Sequence, residues 1–306
     1  DAHTISEGDS LILGACTSGT GKEQIYGKKG CKAKQRSYAL KHSYLKQFYF
    51  ESTGVKYTSL KHSKQINPVD YLLKEFNNKL KGKTLDQLAS EYNVAFSSNA
   101  KSSFSLLINR ILEVEDGVKI KEIELLDMNI KTVPVNSEMN PWESMSFPKF
   151  SLGEILEESW DNTLEDENDN QAAFRSFVDR PFLFISVIKN KIKTKNGLKF
   201  ENWKNWRVGK TVYWKANENQ LIAIQGEWQE AQEIVKQGVK VKMVPHGKGK
   251  RQENNLLKAK NTKFIHMRPH ARDAKDFDLP FKNHTGIEIC WQSFWLNALF
   301  IRKILS

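Results

Sequence analysis

Asn129 and Lys131 stand two residues apart in the stretch LLDMNIKTVPV, residues 125–135. Apolar Leu126, Met128 and Ile130 alternate there with polar Asp127, Asn129 and Lys131. That period of two predicts a strand with one polar face. In many nucleases such a strand carries Glu-x-Lys, in which the carboxylate holds a divalent cation and the lysine steadies the attacking water or the phosphate. Asparagine keeps a similar shape and loses the charge. Glu122, Glu124 and Asp127 lie nearby in the chain and supply carboxylates from which a rearranged site could be built.

Other residues offer weaker chemistry. His266 and His270 have the i, i+4 spacing of helical metal ligands, but FIHMRP reads as a strand running into a proline, with no acidic or cysteine partner near, so zinc is not expected. HGKGKRQ, residues 246–252, resembles a phosphate-binding loop in composition only and reads as a basic hairpin tip with nonspecific backbone contact at most. Trp203, Trp206 and Trp214 are expected in core and lobe packing. Cys16, Cys31 and Cys290 are odd in number and lack Cys-x-x-Cys spacing, which argues against a disulfide framework or a zinc ribbon.

The elements that must position these residues follow from period and punctuation. LILGAC predicts a short strand, followed by a Gly- and Lys-rich loop and then an amphipathic helix over KAKQRSYALKHSYLKQFYF. Two helices follow, with Asn67 as N-cap, Pro68 at the first position and Gly82 between them. SSFSLLINRILEVE predicts a third. Residues 154–170 hold many carboxylates and no Lys or Arg, the mark of a solvated acidic face. RPFLFISVIKN has the continuous apolar character of a strand buried on both sides. GEWQEAQEIVKQG predicts a helix ending at Gly238, and KVKMVPHG with KFIHMRP a strand pair. Helices flanking a mixed sheet give a mixed α/β (α+β) class.

The 306 residues suffice for one large domain, or one domain with an appendage. No apolar run is long enough to span a bilayer, and the N-terminal DAHTISEGDS lacks the basic-then-apolar order of a signal peptide, so no membrane partner and a cytoplasmic location are expected. The net charge of +11 suits a polyanion-binding surface, because each phosphate neutralised by Lys or Arg releases counterions.

Residues 36–49 align without a gap to residues 292–305, pairing Ser37 with Ser293, Tyr38 with Phe294, Leu40 with Leu296, Tyr44 with Phe300, Leu45 with Ile301 and Lys46 with Arg302. Two readings are open: amphipathic helices that share a period, or a duplication in which the chain begins with the closing helix of one copy and continues with a complete second copy.

Taken in order, LKGKTLDQLA, KSSFSLLINRIL, MNIKTVPV, RVGKTVYWKANENQ, GEWQEAQEIVKQG, IHMRPHARDAK and CWQSFWLNALFIRKIL resemble the MutH-like endonuclease family, in the second half of a GATC-cutting type II restriction endonuclease. The resemblance implies a restriction-endonuclease-like core, a mixed sheet flanked by helices in two lobes around a DNA cleft. It implies residues 1–63 as the tail of a preceding copy plus linker, and 64–306 as a MutH-like DNA-binding domain. The family binds magnesium with an Asp, a Glu-x-Lys and a helix Glu. Those positions fall on Glu122, on Asn129 with Lys131, and on Asn109.

Two acid-to-amide changes remove most of the attraction for a divalent cation. The chain by itself is therefore expected to be no enzyme and to need no cofactor, with magnesium belonging to an N-terminal catalytic half of the same protein. The resemblance further implies that IHMRPHARDAK enters the major groove of GATC duplex, with Arg268 bidentate to guanine O6 and N7 and Pro269 stiffening the loop against a thymine methyl. His270 stands where mismatch-repair members have Lys, and Arg272, Lys275 and Lys263 meet phosphates. The function expected is a GATC-binding, non-cleaving effector domain. The alternatives are an active magnesium-dependent endonuclease with a rearranged site, and a protein-interaction module of the mismatch-repair type.

Overall fold

The computed structural model describes residues 10–17, 23–26, 31–34, 36–60, 67–96, 101–160, 171–195, 197–247 and 249–306. Most of the Gly- and Lys-rich loop, the boundary at residues 63–64 and residues 161–170 of the acidic stretch lie outside them. The fold is mixed α/β. In chain order it begins with β1 (Leu13–Thr17), β2 (Glu23–Tyr26), β3 (Cys31–Lys34), β4 (Arg36–Leu40), α1 (His42–Ser52) and β5 (Tyr57–Thr58). Then come α2 (Pro68–Leu80), α3 (Leu85–Glu91), α4 (Lys101–Ile111), β6 (Lys119–Ile120), α5 (Lys121–Leu125), β7 (Asn129–Val135), β8 (Met145–Phe150), α6 (Glu154–Glu157) and α7 (Ala173–Val178). β9 (Phe182–Ile188), β10 (Lys191–Thr194), β11 (Gly197–Phe200), β12 (Arg207–Trp214) and α8 (Glu218–Lys236) follow. The chain closes with β13 (Val241–His246), β14 (Gly249–Asn254), β15 (Ile265–Pro269), α9 (Leu279–Thr285), β16 (Gln292–Leu296) and α10 (Ala298–Leu305).

These elements form two compact units, Asp1–Trp142 with Arg180–Lys215 and Arg302–Ser306, and Glu143–Asp179 with Ala216–Ile301. In the first unit a three-stranded sheet has the order β12-β9-β7, with β9 parallel to β7 and antiparallel to β12. As its apolar run predicts, β9 is buried at six consecutive positions, Phe182 to Val187. Leu183 and Ile185 enter a core with Leu72, Phe76 and Leu80 of α2 and Leu107 and Ile111 of α4. Asn67 caps α2 by accepting from the Val69 N–H, and Thr84 with Gln87 forms a capping box that starts α3 just after Gly82 (φ +83°). A bulge between Val208 and Thr211 breaks the β12 ladder, and Asn77 of α2 fills it: its amide donates to the Thr211 carbonyl (3.2 Å) and accepts from the Thr211 N–H (3.0 Å).

The second unit is built on the antiparallel sheet β15-β16-β8. One of its faces is aromatic: Phe294 stacks on Phe150 (4.9 Å between centroids) and meets Phe174 (4.5 Å). Helix α8 begins at Glu218, eight residues before the expected start, because Asn217 and Gln220 close a capping box there. It ends before Gly238, whose φ of +102° favours glycine.

Three expectations are corrected. The helix expected from residue 32 starts only at His42; residues 36–40 are strand β4, paired with β1. The strand expected from residue 125 starts at Asn129, since α5 runs to Leu125 and Asp127 turns the chain with φ +50°. The strand pair is reassigned: β13 closes on β14 through Gly247 (φ +58°), and β15 pairs with β16. Residues 292–305, matched above to a closing helix, are likewise strand β16 followed by α10.

The two aligned segments therefore share more than a helical period. β1 faces β4 with Leu13 opposite Leu40 and Thr17 opposite Arg36, and β15 faces β16 with Ile265 opposite Leu296 and Pro269 opposite Gln292. Both five-residue ladders continue into a helix two residues on. At the junction the Lys41 N–H donates to the Ile12 carbonyl (2.8 Å), as the aligned Asn297 N–H donates to Phe264 (2.7 Å).

Candidate nucleic-acid interface

Strand β15 carries its buried residues first and its cations last. Ile265, His266 and Met267 are buried, whereas Arg268, Pro269 and His270 are exposed. The alternation of a strand puts His266, Arg268 and His270 on one face with Ser293 and Trp295 of β16, opposite the aromatic face of Phe294. Trp295 is the platform: the Arg268 guanidinium lies over its ring at 4.9 Å, and the His270 ring centroid is 5.8 Å away. His270 Nδ1 lies 3.1 Å from Ser293 Oγ, and its N–H donates to the Trp291 carbonyl (2.8 Å), extending the ladder past Pro269. A stacked guanidinium gives up fewer rotamers when it engages a planar partner.

Below it, the His266 Nδ1–H donates to Asn297 Oδ1, whose amide in turn donates to the Thr262 carbonyl. Burial holds the His266 pKa below its usual 6.5, with the Asn297 hydrogen bond opposing and the Arg268 and Lys258 charges adding to the effect.

The loop after β15 is tied at its base. Asp278 is fully buried and accepts from Ser151 Oγ (2.8 Å), the Leu152 N–H (2.7 Å) and the Phe281 N–H (3.3 Å), so one carboxylate caps α9 and holds the end of β8. Arg272 and Lys275 stand exposed on the loop, with backbone N–H groups bonded to Asp276 and Asp273. The structure brings Arg268, Pro269, His270, Arg272 and Lys275 to one end of β15. Lys263 is at the other end, about 16 Å along the strand from Arg268, where its N–H donates to Glu227. Sequence reasoning missed Trp295, Ser293, Asp278 and Lys149. Lys149 is exposed on β8, opposite Ser293, with its ammonium 4.4 Å from the Trp291 ring centroid.

The second candidate group lies in the first unit. Asn129 opens β7 and Lys131 follows on the same face, opposite Phe182 and Phe184 of β9. Lys131 is exposed. Asn109 is half-buried on α4, beside core residues Leu107, Ile108 and Ile111. Glu122 is buried at 5% exposure and accepts from the Leu60 N–H (3.0 Å), while Asp127 pairs with Arg180 (2.8 Å) and Glu124 with Lys119 (3.0 Å). Magnesium takes anionic oxygens with open lone pairs. These residues do not fit it: Asn109 and Asn129 are neutral, the neighbouring carboxylates are engaged, and among the described residues no three His, Cys, Asp or Glu side chains converge.

Among the described residues no helix is long and apolar enough to cross a membrane. No family model matches the chain. A type II restriction enzyme, Sau3AI of Staphylococcus aureus, is 23% identical over 337 aligned positions, which take in 99% of this chain and 66% of the relative. The expectation that the chain is no enzyme is corrected by this match, because what the chain resembles along nearly its whole length is an enzyme. The asparagines alter how a cation would be held at those two positions; they do not establish inactivity. The similarity is to a restriction enzyme, and the chain spans 66% of that relative's length.

Proposed function

We propose that this chain recognises GATC in double-stranded DNA as part of a type II restriction endonuclease, reading the sequence with the loop that follows β15. The observation that carries the reading is Arg268, exposed at the end of a buried strand and laid on Trp295, with His270, Arg272 and Lys275 beside it. A guanidinium held in this way offers a rigid donor pair of the kind guanine O6 and N7 accept. Phosphate contacts from Arg272 and Lys275 set register without reading sequence.

The same reading takes residues 64–306 as a MutH-like domain and residues 1–63 as the tail of a preceding copy with its linker. The matched ladders and junction bonds of β1-β4-α1 and β15-β16-α10 support the duplication over a shared helical period. The partner proposed is that preceding copy, an N-terminal catalytic half, and magnesium is proposed for it. Binding of a second GATC site at the β15 loop would then act on cleavage as an effector.

The test is a binding and cleavage assay of this chain on duplexes with one, two or no GATC sites, with magnesium present. Tighter binding of GATC duplex than of a scrambled duplex is expected. Equal affinity for both sinks the GATC reading and leaves a nonspecific DNA-binding surface. Scission at GATC, lost on Lys131→Ala, would add hydrolysis to recognition.

A further inference from the structure

The β10-β11 hairpin belongs to neither group of residues described above. Residues 189–200 contain five lysines and no acid. Register pairs Lys191 with Phe200, Ile192 with Lys199 and Lys193 with Leu198. One face of the ribbon therefore carries Lys191, Lys193, Leu198 and Phe200, and the other Ile192 and Lys199. Both faces leave apolar side chains exposed: Ile192 is 50% exposed, Leu198 69% and Phe200 43%.

The root of the hairpin, by contrast, is fixed. The Trp142 indole N–H donates to the Lys189 carbonyl (2.8 Å), Trp142 packs edge-on against Phe200 (5.4 Å), and the Lys189 ammonium sits 3.8 Å from the Trp206 ring centroid. The nearest acid in the chain, Glu201, accepts from the Asn190 N–H at that root. Lys191 lies over the Trp142 and Phe200 rings (4.4 and 5.1 Å), and among the described residues Lys191, Lys193, Lys195 and Lys199 have no carboxylate partner.

We infer that this hairpin is a second DNA contact, a sequence-independent one that grips the duplex backbone. The inference rests on the DNA-binding reading above. Lys191 and Lys193 are about 7 Å apart on one face, about two base-pair rises along the axis of duplex DNA. A two-stranded ribbon fits the major groove. The apolar side chains interleaved with the lysines, Leu198 and Phe200, face sugars and base edges once water is displaced. An acidic protein partner would be matched by charge alone, whereas cations alternating with exposed apolar groups suit a polymer that is charged outside and apolar at its stacked bases.

The experiment measures salt-dependent binding of the whole chain to GATC and scrambled duplexes. Lys191→Ala/Lys193→Ala should weaken both duplexes by the same factor, roughly thirtyfold at 0.15 M salt, and lower the slope of log K against log salt by about 1.8. Lys193→Glu alone should act in the same direction, and Lys204→Ala, which removes a cation paired with Asp86, should leave the slope unchanged. A wild-type slope in the double variant overturns the hairpin contact while leaving GATC recognition standing. A loss confined to GATC duplex overturns its sequence independence. Unchanged DNA binding with lost sedimentation on anionic phosphatidylserine vesicles overturns it in favour of a membrane surface. If the wild-type chain binds neither duplex, the parent reading fails first.

Discussion

Arg268 at the end of β15 and Lys275 on the loop that follows are both exposed cations, yet their surroundings differ. Arg268 is stacked on Trp295 and so presents its donors in a fixed plane, while Lys275 is tied through its backbone, its N–H donating to Asp273 and its carbonyl accepting from the Phe277 N–H. Arg268→Ala should cost about 1–3 kcal/mol on GATC duplex and narrow its margin over scrambled duplex. Lys275→Ala should weaken both and flatten the salt dependence by about one phosphate. Titrations in which the two variants behave alike would refute the division. His266, buried under Arg268, makes a pH-dependent contribution. Its pKa is lowered in the fold, so its full contribution to stability is present above 6.5 and is lost as pH falls from there towards the depressed folded value, where the unfolded chain binds the proton more readily. The loss of melting temperature between pH 7.5 and 5.5 should therefore be smaller in His266→Gln than in the wild type; equal losses would show that His266 is not the group responsible. Arg268 was legible in the sequence because it sits in a contiguous motif. Trp295 was not, because it comes to lie beneath Arg268 only through strand pairing across 27 residues. Glu122 shows the converse: its residue type invited a ligand role, and burial against the Leu60 N–H gives it a structural one.

Elements were most legible where local chemistry decides them. Asn67, Pro68, Gly82 and Gly238 mark helix ends in the sequence and mark them in the fold, because caps and left-handed turns depend on one or two residues. Strand β9 announced itself by an apolar run that only double burial explains. Where two periods compete, the sequence misled. RSYAL and QSFWL alternate like strands but continue into helical periodicity, and pairing with β1 and β15 settles them as strands. Strand β14, GKRQEN, has no apolar alternation at all, so only its closure on β13 defines it. The β12 bulge yields a direct test of packing. A Cβ on Gly209 would come within 2.4 Å of Ser186 Oγ, a buried hydroxyl already committed to the Lys210 carbonyl (2.8 Å). Gly209→Ala should destabilise the chain by about 1–3 kcal/mol, read as a lower urea midpoint at unchanged slope. A midpoint equal to wild type would mean that the bulge relaxes freely and that Asn77 does not pin it.

At the scale of the molecule, the repeated strand–strand–helix is the feature with the widest consequence. If the segment through α1 closes a preceding copy, the protein carries two reading loops, and DNA with two GATC sites can occupy both. Two physical routes would make such DNA a better substrate. Tethering raises the local concentration of one site through the DNA between them. An effector works differently: the second site must bind the cleaving conformation more tightly than the resting one. In both cases the protein that includes the preceding copy should cut two-site DNA faster than one-site DNA. A short uncleavable GATC duplex added in trans separates the routes, since an effector site should accelerate cutting of a one-site substrate and a tether should not. Arg268→Ala should abolish whichever effect is present while leaving the one-site rate in place. Should that variant keep the wild-type ratio of two-site to one-site cleavage, the loop after β15 plays no part in coupling, and the repeat is a structural inheritance with no regulatory use.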